Sequence, residues 1–444
     1  MPELPRQIPL AGGDYFMHSQ DARMRDAGLP GNICRVALRL DGGLDPEALR
    51  RRIESSPVFD WLARMHITRP WQVAPPAWRA TANPRNFFQV HPSNGSDGEG
   101  LGVVPREIVQ REMHASRGPS LALDLVAHSN GSQDLILSWN HALLDARGAE
   151  FILRHLYSGP TPDDSSTLES LINPDQTSFG FSKWWNSLGR ARLSLNWLKT
   201  SGKPPLFSLM PEAEPASPPR NHSRLLLFTP EEATKIDARC KSLNAAFRRS
   251  HFYLAASLRA VHEVALRRGK ADSAYLLPVP HDKRRRGAKG PIFSNHLSIL
   301  FYRIEAHQAT NLSAVIEELT KQMMEQIRTQ FPECCMAALD MFKPLPLNLY
   351  LYQLGKPSQG KFASFCFSDS GETCAGIRDV MGAKIQSVVH MVSTWRPPGL
   401  TVLFWSYAGR PCAQLSYTDD CLSPEEADLL ERTLRSALVE EIPT

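Results

Sequence analysis

The chain has 444 residues, a formal net charge of +4, and 42% hydrophobic against 22% charged residues. That is an ordinary balance for a globular protein, and the length exceeds one compact core, so two domains of roughly 200 residues each are expected. No apolar run approaches the ~18 residues of a membrane span, and Met1-Pro-Glu-Leu-Pro-Arg-Gln7 does not lead into the long apolar stretch of a secretory signal. The eight cysteines are scattered and make no Cys-x-x-Cys pair, which excludes a zinc ribbon or a disulfide framework and points to reduced thiols in a cytoplasm.

In chain order, Ile33–Leu40 reads as a strand, and Asp45-Pro46-Glu47 caps a helix running to about Ser55. Residues 92–101 read as a loop by composition. Two apolar runs, Leu121–Ala127 and Leu135–Trp139, flank Asn130-Gly131, a hairpin signal. If the second run continues to His141, period two puts Leu135, Leu137, Trp139 and His141 on one face. A helix then follows with Phe151, Ile152 and Leu156 inward. Phe181-Ser-Lys-Trp-Trp185 and Leu193–Leu198 form an amphipathic helix whose tryptophans pack in a core or groove or touch a membrane surface peripherally. Residues 201–222 carry six prolines and form the expected linker.

The second half restarts with a strand at Ser223–Phe228, and Thr229-Pro-Glu-Glu232 opens a helix. A longer helix spans Phe252 to Arg267. A strand at Ala274–Val279 leads into the basic run Lys283–Arg286, and Ile292–Tyr302 is again strand-like. Leu312–Thr329 is helical, and Lys361–Phe367 is a strand ending at Ser368-Asp-Ser-Gly371. Thr401–Tyr407 and Gln414–Tyr417 form a terminal pair, and Ser423 caps a last helix to about Val439. Each half thus mixes helices and strands, an α/β (α+β) class without short repeats. The expected units are 1–200, a crossover at 201–222, and 223–444.

The chemistry centres on His141 and Asp145, the one His-x-x-x-Asp in the chain, at the end of an apolar strand. Histidine suits a general base because its ordinary pKa lies near 6.5. No His/Cys/Asp cluster has metal-ligand spacing, no Walker or dinucleotide fingerprint occurs, and the basic turn lacks the interleaved aromatics of a nucleic-acid surface. No Gly-x-Ser-x-Gly elbow of an ester hydrolase is present.

With these residues the chain resembles the chloramphenicol-acetyltransferase-like superfamily, which includes condensation domains, wax ester synthase/diacylglycerol acyltransferases and polyketide-associated acyltransferases. The family motif His-His-x-x-x-Asp-Gly stands here as Asn140-His141-Ala-Leu-Leu-Asp145-Ala146, with Asn140 and Ala146 replacing a histidine and a glycine and Gly148 two residues on. Pro9-Leu-Ala-Gly-Gly-Asp14, Pro278-Val-Pro-His-Asp282-Lys-Arg284, Gly290-Pro-Ile-Phe-Ser-Asn295 and Phe365-Cys-Phe-Ser368-Asp-Ser-Gly371 resemble further family segments in the same order.

The resemblance implies two similar subdomains in a V around a central tunnel, with donor and acceptor entering from opposite faces. It implies acyl transfer from acyl-CoA or a phosphopantetheine-linked thioester on an acyl or peptidyl carrier protein to an alcohol or amine. No bound cofactor, metal, nucleic acid or covalent enzyme intermediate is involved, and a monomer is expected. His141 is then the base. Asp145 orients the loop by pairing with Arg284, or second with Arg285. Phosphate attraction is the other reading of the basic run, and a solvated turn the plain one. Asn295 and Ser368 are candidate donors to the oxyanion or substrate, and Asn140 stands in for a histidine's hydrogen bond. His296 is expected to point away. The alternative implied by Asn140 and Ala146 is an inactive, condensation-like module that recruits a carrier protein.

Overall fold

The computed structural model describes residues 4–69, 75–82, 87–92, 104–156, 171–172, 181–213, 215, 217–285, 287–356 and 363–440. Most of the loop expected at 92–101, and Arg286 and Lys361, lie outside these residues.

A six-stranded sheet underlies the first half, in the order Asp379–Val380, Ala383–Val392, Ile33–Leu40, Gln133–Asn140, Leu121–Ala127, Phe88–Pro92. Its centre is the expected hairpin, with Leu125 opposite Leu135, Leu123 opposite Leu137 and Leu121 opposite Trp139. Alternation then sorts the side chains by face. Val36, Leu38, Leu123, Leu137 and Trp139 enter the main core of the first half. Ala37, Val126 and Ile136 turn the other way, onto Leu403 and Trp405. Both faces are therefore covered, and the strand leading to His141 has little freedom to move.

A four-stranded sheet organises the second half, in the order Cys366–Glu372, Leu400–Tyr407, Arg410–Thr418, Asn221–Leu227. The helices Arg249–Arg267 and Pro424–Val439 bury Leu254, Leu258, Leu430 and Leu434 in the core beneath it. Two helices of this half, Pro230–Ser242 and Pro424–Val439, begin with full capping boxes, Thr229 with Glu232 and Ser423 with Glu426. Each box satisfies N–H groups that the first turn leaves open. A separate hairpin, Tyr275–Asp282 with Leu297–Ile304, completes this half.

Three features join the halves. The strand Ala383–Val392, from late in the chain, pairs antiparallel with Ile33–Leu40 in the first sheet. The segment 290–296 inserts Ile292 and Phe293 into the first core, where Phe293 meets Trp61 and Trp78 edge-on at centroid distances of 4.9 and 5.5 Å. The proline-rich stretch after helix Phe181–Ser201 is packed down: Phe207 and Leu209 are buried in the second core, and the Phe207 N–H donates to Ala274 O.

Several expected elements start elsewhere. The strand read from Ile292 begins at Leu297, because the N–H groups of Phe293 and Ser294 go to the carbonyls of Leu171 and Leu143. Those of Asn295 and His296 go to the carboxylates of Asp14 and Asp145. With those donors spent, no ladder forms before Leu297. The strand expected at Lys361–Phe367 runs instead over Cys366–Glu372, taking in Ser368–Gly371. A helix at Gly12–Asp26 replaces what read only as a motif. Its first glycine is required by contact: a Cβ on Gly12 would stand 2.7 Å from the Asp340 backbone nitrogen. Trp185 on helix Phe181–Ser201 is exposed, whereas Trp197 packs on Phe301 and Phe331. No helix among the described residues is long and apolar enough to cross a membrane.

Candidate active site

The strand Gln133–Asn140 ends one residue before His141. The chain then turns through residues 141–145 and enters the helix Ala146–Leu153, whose N-cap is Asp145. The turn is held internally by Trp139 Nε1 donating to Leu144 O at 2.9 Å and the Ala142 N–H donating to Asn140 Oδ1 at 3.1 Å.

The segment 284–296 clamps this turn from the other half. Asn295 Nδ2 donates to His141 O at 2.9 Å and Ala142 O at 3.2 Å. The Ser294 N–H donates to Leu143 O at 2.9 Å, with Ser294 at φ 79°, a left-handed conformation uncommon outside glycine. Such a residue persists only where its surroundings over-determine it. Here they do: Ser294 Oγ also donates to Asp14 Oδ2 at 2.6 Å. Asp14, fully buried in the N-terminal helix, further accepts from Trp78 Nε1, the Asn295 N–H and Asn295 Nδ2. Burial still pushes its carboxyl above the usual range, because these donors only partly offset the loss of water.

Asp145 and Arg284 form the strongest contact between turn and clamp. Arg284 Nη1 lies 2.9 Å from Asp145 Oδ2 and Nη2 3.1 Å from Oδ1, a two-pronged pair. Both side chains are buried, 3% and 1% exposed. Asp145 also accepts from the N–H groups of Gly148 at 2.8 Å and His296 at 2.9 Å. Burial alone would raise its pKa, but the Arg284 charge and these bonds outweigh it and hold the carboxyl below its ordinary value. Arg285 and Lys283 are exposed, so the partner is Arg284 and not the second choice. Arg284 is also committed to Pro291 O and Asp282 Oδ1, so four of its five N–H groups are spent and its 3% exposure leaves it out of reach of a phosphate in solvent.

Gly148 is a position no side chain can fill, since a Cβ there would collide with the carbonyl oxygen of Ile292. Gly148→Ala is expected to force helix and clamp apart and to cost about 1–3 kcal/mol, read as a lower urea midpoint at unchanged slope. Gly131→Ala tests something different, backbone strain at φ 84°, because nothing lies within 4 Å of its added Cβ.

The His141 side chain lines a cavity of about 220 Å³ between the halves. Its ring makes no hydrogen bond among the described residues, and Nδ1 is enclosed. Burial lowers the ring's pKa, while the carbonyls of His141 itself and Leu144 and the charge of Asp145 pull the other way. With Nδ1 closed off, Nε2 is the ring nitrogen left to meet a cavity ligand.

The other anticipated residues fall into two groups. Ser368 lines the same cavity from the strand Cys366–Glu372, and its hydroxyl has no protein partner among the described residues. Asn295 and Asn140 do not line it. Asn295, anticipated as a donor to the reacting centre, spends its amide N–H groups on Asp14 and the His141 turn. Asn140 is fully buried, with Nδ2 donating to Asp21 Oδ1 at 3.0 Å. His296, set aside on strand periodicity, precedes the strand and is buried against the clamp, its Nε2 2.8 Å from Phe293 O.

Three cavity residues carry no sequence signal. Arg147 Nη1 pairs with Glu150 Oε2 at 2.8 Å, and burial pushes the Glu150 carboxyl up to about 7. His390, on the strand Ala383–Val392, is held down to about 4 by burial and bonds Thr373 Oγ1 at 3.0 Å. Helix spacing alone makes residues 147 and 150 neighbours, but only the late strand brings His390 to them.

No family model matches the sequence, and no curated protein matches it. Solved structures do match over nearly its whole length. The first condensation domain of the CDA synthetase superposes with a TM-score of 0.70 at 12% identity, covering 98% of this chain and 97% of that one. Trichothecene 15-O-acetyltransferase TRI3 from Fusarium sporotrichioides gives 0.69 at 14% identity, covering 98% and 96%. The X-domain from teicoplanin biosynthesis gives 0.62 at 15% identity, covering 99% and 95%. The mixed architecture of two cores joined across a central cavity is therefore the fold seen in these condensation domains and in the TRI3 acetyltransferase.

Proposed function

We propose that the protein transfers an acyl group from a thioester, on coenzyme A or a carrier protein, to a hydroxyl or amine, with His141 as general base. The observation that carries this reading is the contrast around His141. Its backbone and its neighbours Asn140 and Asp145 are held by hydrogen bonds, while its ring lies at a cavity wall and makes no hydrogen bond of good geometry among the described residues. His18, His66 and His155 also bury a ring nitrogen with no partner among the described residues, but none of them lines the cavity, so it is the place of His141 on that wall that sets it apart.

In this reading Nε2 takes the proton of the acceptor as its oxygen or nitrogen attacks the thioester carbonyl carbon. The carbonyl electron pair moves onto oxygen, and Ser368 Oγ is the hydroxyl available on the cavity wall to meet that charge. Collapse breaks the C–S bond, and the imidazolium returns its proton to the leaving thiolate. No bond to the enzyme forms. Arg284 lies outside the cavity lining and the Asp145 carboxylate is spent on Arg284, Gly148 and His296, so the pair holds the turn and takes no proton.

The departures at Asn140 and Ala146 fit this reading. Asn140 lies outside the cavity, where its amide ties the turn to Asp21, so no reacting group is lost there. Ala146 opens a helix whose close packing depends on Gly148, two residues on.

The pH dependence follows from the direction of the His141 shift. Burial lowers its pKa from 6.5, so the free base persists below that value. kcat/KM is expected to be level near neutrality and to fall on the acid side with a midpoint below about 6.5. A midpoint above 7 contradicts a desolvated His141 as the base. The function itself is tested by incubating the protein with acyl-CoA and acyl-carrier thioesters and mixed alcohols and amines, with mass detection of products. Product that needs both thioester and acceptor supports the reading. Binding of a carrier protein without turnover across the whole panel supports the recruitment module instead.

A further inference from the structure

Beside the cavity at His141 lies a second one of about 100 Å³, and the two share Phe16, Pro278, Ile299, Cys366 and Trp395 in their walls. Their linings differ in kind. The part beside His141 carries Arg147, Glu150, Ser368 and Asp369. The branch runs between the helices Phe181–Ser201 and Phe331–Phe342 and the hairpin strands, where Leu195, Leu198, Ala338, Leu339, Leu276 and Phe301 line it. The polar side chains on it are Gln20, whose Nε2 is buried with no partner among the described residues, and Ser194, whose Oγ is already bonded to Ala191 O.

We propose that this branch holds the hydrocarbon tail of the acyl group, so that the donor is the thioester of an acid with a short apolar tail, about four carbons being what a cavity of about 100 Å³ takes in. The inference rests on the reading of His141 as the transfer base and adds the class of acyl group to it. An apolar cavity of this kind stays dry and takes apolar ligands. A pantetheine arm laid along it would bury two amides against the single free donor of Gln20, so that most of their polar groups would go unbonded, a cost that disfavours it as occupant. A polar acceptor is recognised by the charged end of the cavity for the same reason. The reacting carbonyl then sits at the junction, beside His141, with tail and acceptor on opposite sides.

Binding decides this without any turnover. S-alkyl pantetheine thioethers, which carry the arm common to coenzyme A and carrier proteins, are titrated calorimetrically onto the full chain with tails of two to fourteen carbons. The Kd is expected to fall about fourfold per methylene until the branch is full, and then to level off. A Kd independent of tail length overturns the proposal. Ala338→Phe and Leu198→Phe, checked for an unchanged melting temperature, are expected to flatten the gradient, and an intact gradient in both counts against the branch. A diazirine at the tail end is expected to label residues 181–201 or 331–342, and labelling confined to 147–150 or 368–370 also overturns it. Graded binding with no transfer from any thioester leaves the branch standing and sinks the transferase reading. Flat binding with active transfer of acetyl groups does the reverse.

Discussion

Asp145→Asn is expected to destabilise the protein by about 3–5 kcal/mol, because it leaves the Arg284 guanidinium buried without its main counter-charge. The Arg284 side chain is only 3% exposed, so water cannot replace the lost carboxylate. Asp282 remains on one edge at 3.1 Å but is itself 37% exposed and reaches a single nitrogen. Asparagine can still cap the helix at Gly148, so the loss comes from the charge and not from the cap. The same substitution should lower transfer, since the pair fixes the turn that aims His141.

The pH dependence of stability gives this prediction a second reading. The Asp145 carboxyl is held below its ordinary value in the folded state. Its contribution is therefore present above the unfolded value near 4 and is lost as pH falls through the lower, folded one. Urea midpoints from neutral pH down to about 3 should show wild type losing more stability than Asp145→Asn over the acid range. Parallel curves contradict a depressed carboxyl. Arg284→Met removes the other partner and is expected to fall in the same energy range, and the double variant is expected to lose less than the sum of the two.

These residues show where sequence reasoning reaches and where it stops. The Leu121–Ala127 and Gln133–Asn140 hairpin was legible because both strands alternate around a turn and pair with each other. The capping boxes at Thr229 and Ser423 were legible for a similar reason, since all their atoms lie within four residues. Pairing Asp145 with Arg284 spans 139 residues, and only the family resemblance pointed to it.

What was missed depends on contacts between the halves. The strand Ala383–Val392 gains its place from Ile33–Leu40, far away in sequence. The helix Gly12–Asp26 was hidden by Gly12-Gly13, residues that lower helix propensity, yet Gly12 is there to approach Asp340. Asn295 was placed by resemblance, and His296 was set aside on strand periodicity. That period does not apply where the backbone donors have gone to Asp14 and Asp145. Asn295 thus turned out to hold the His141 turn, while Ser368, placed by resemblance alone, reached the cavity wall.

His141→Ala is expected to remove transfer activity by about 10²- to 10⁴-fold, the range of a general acid–base contribution. Its effect on stability should stay within about 1 kcal/mol, because the ring holds no hydrogen bond among the described residues. That separation of activity from stability is the signature of a reacting group. A positioning residue such as Asp145 loses both together. The Asp145 and His141 variants therefore distinguish the two halves of the motif.

The most direct measurement compares wild type and His141→Ala at neutral pH with a thioester donor that the wild type uses, following product formation and the urea midpoint on the same samples. The account predicts product from wild type, near loss of product from the variant, and closely matching midpoints. A folded His141→Ala protein that forms product at the wild-type rate would show that His141 is not the base.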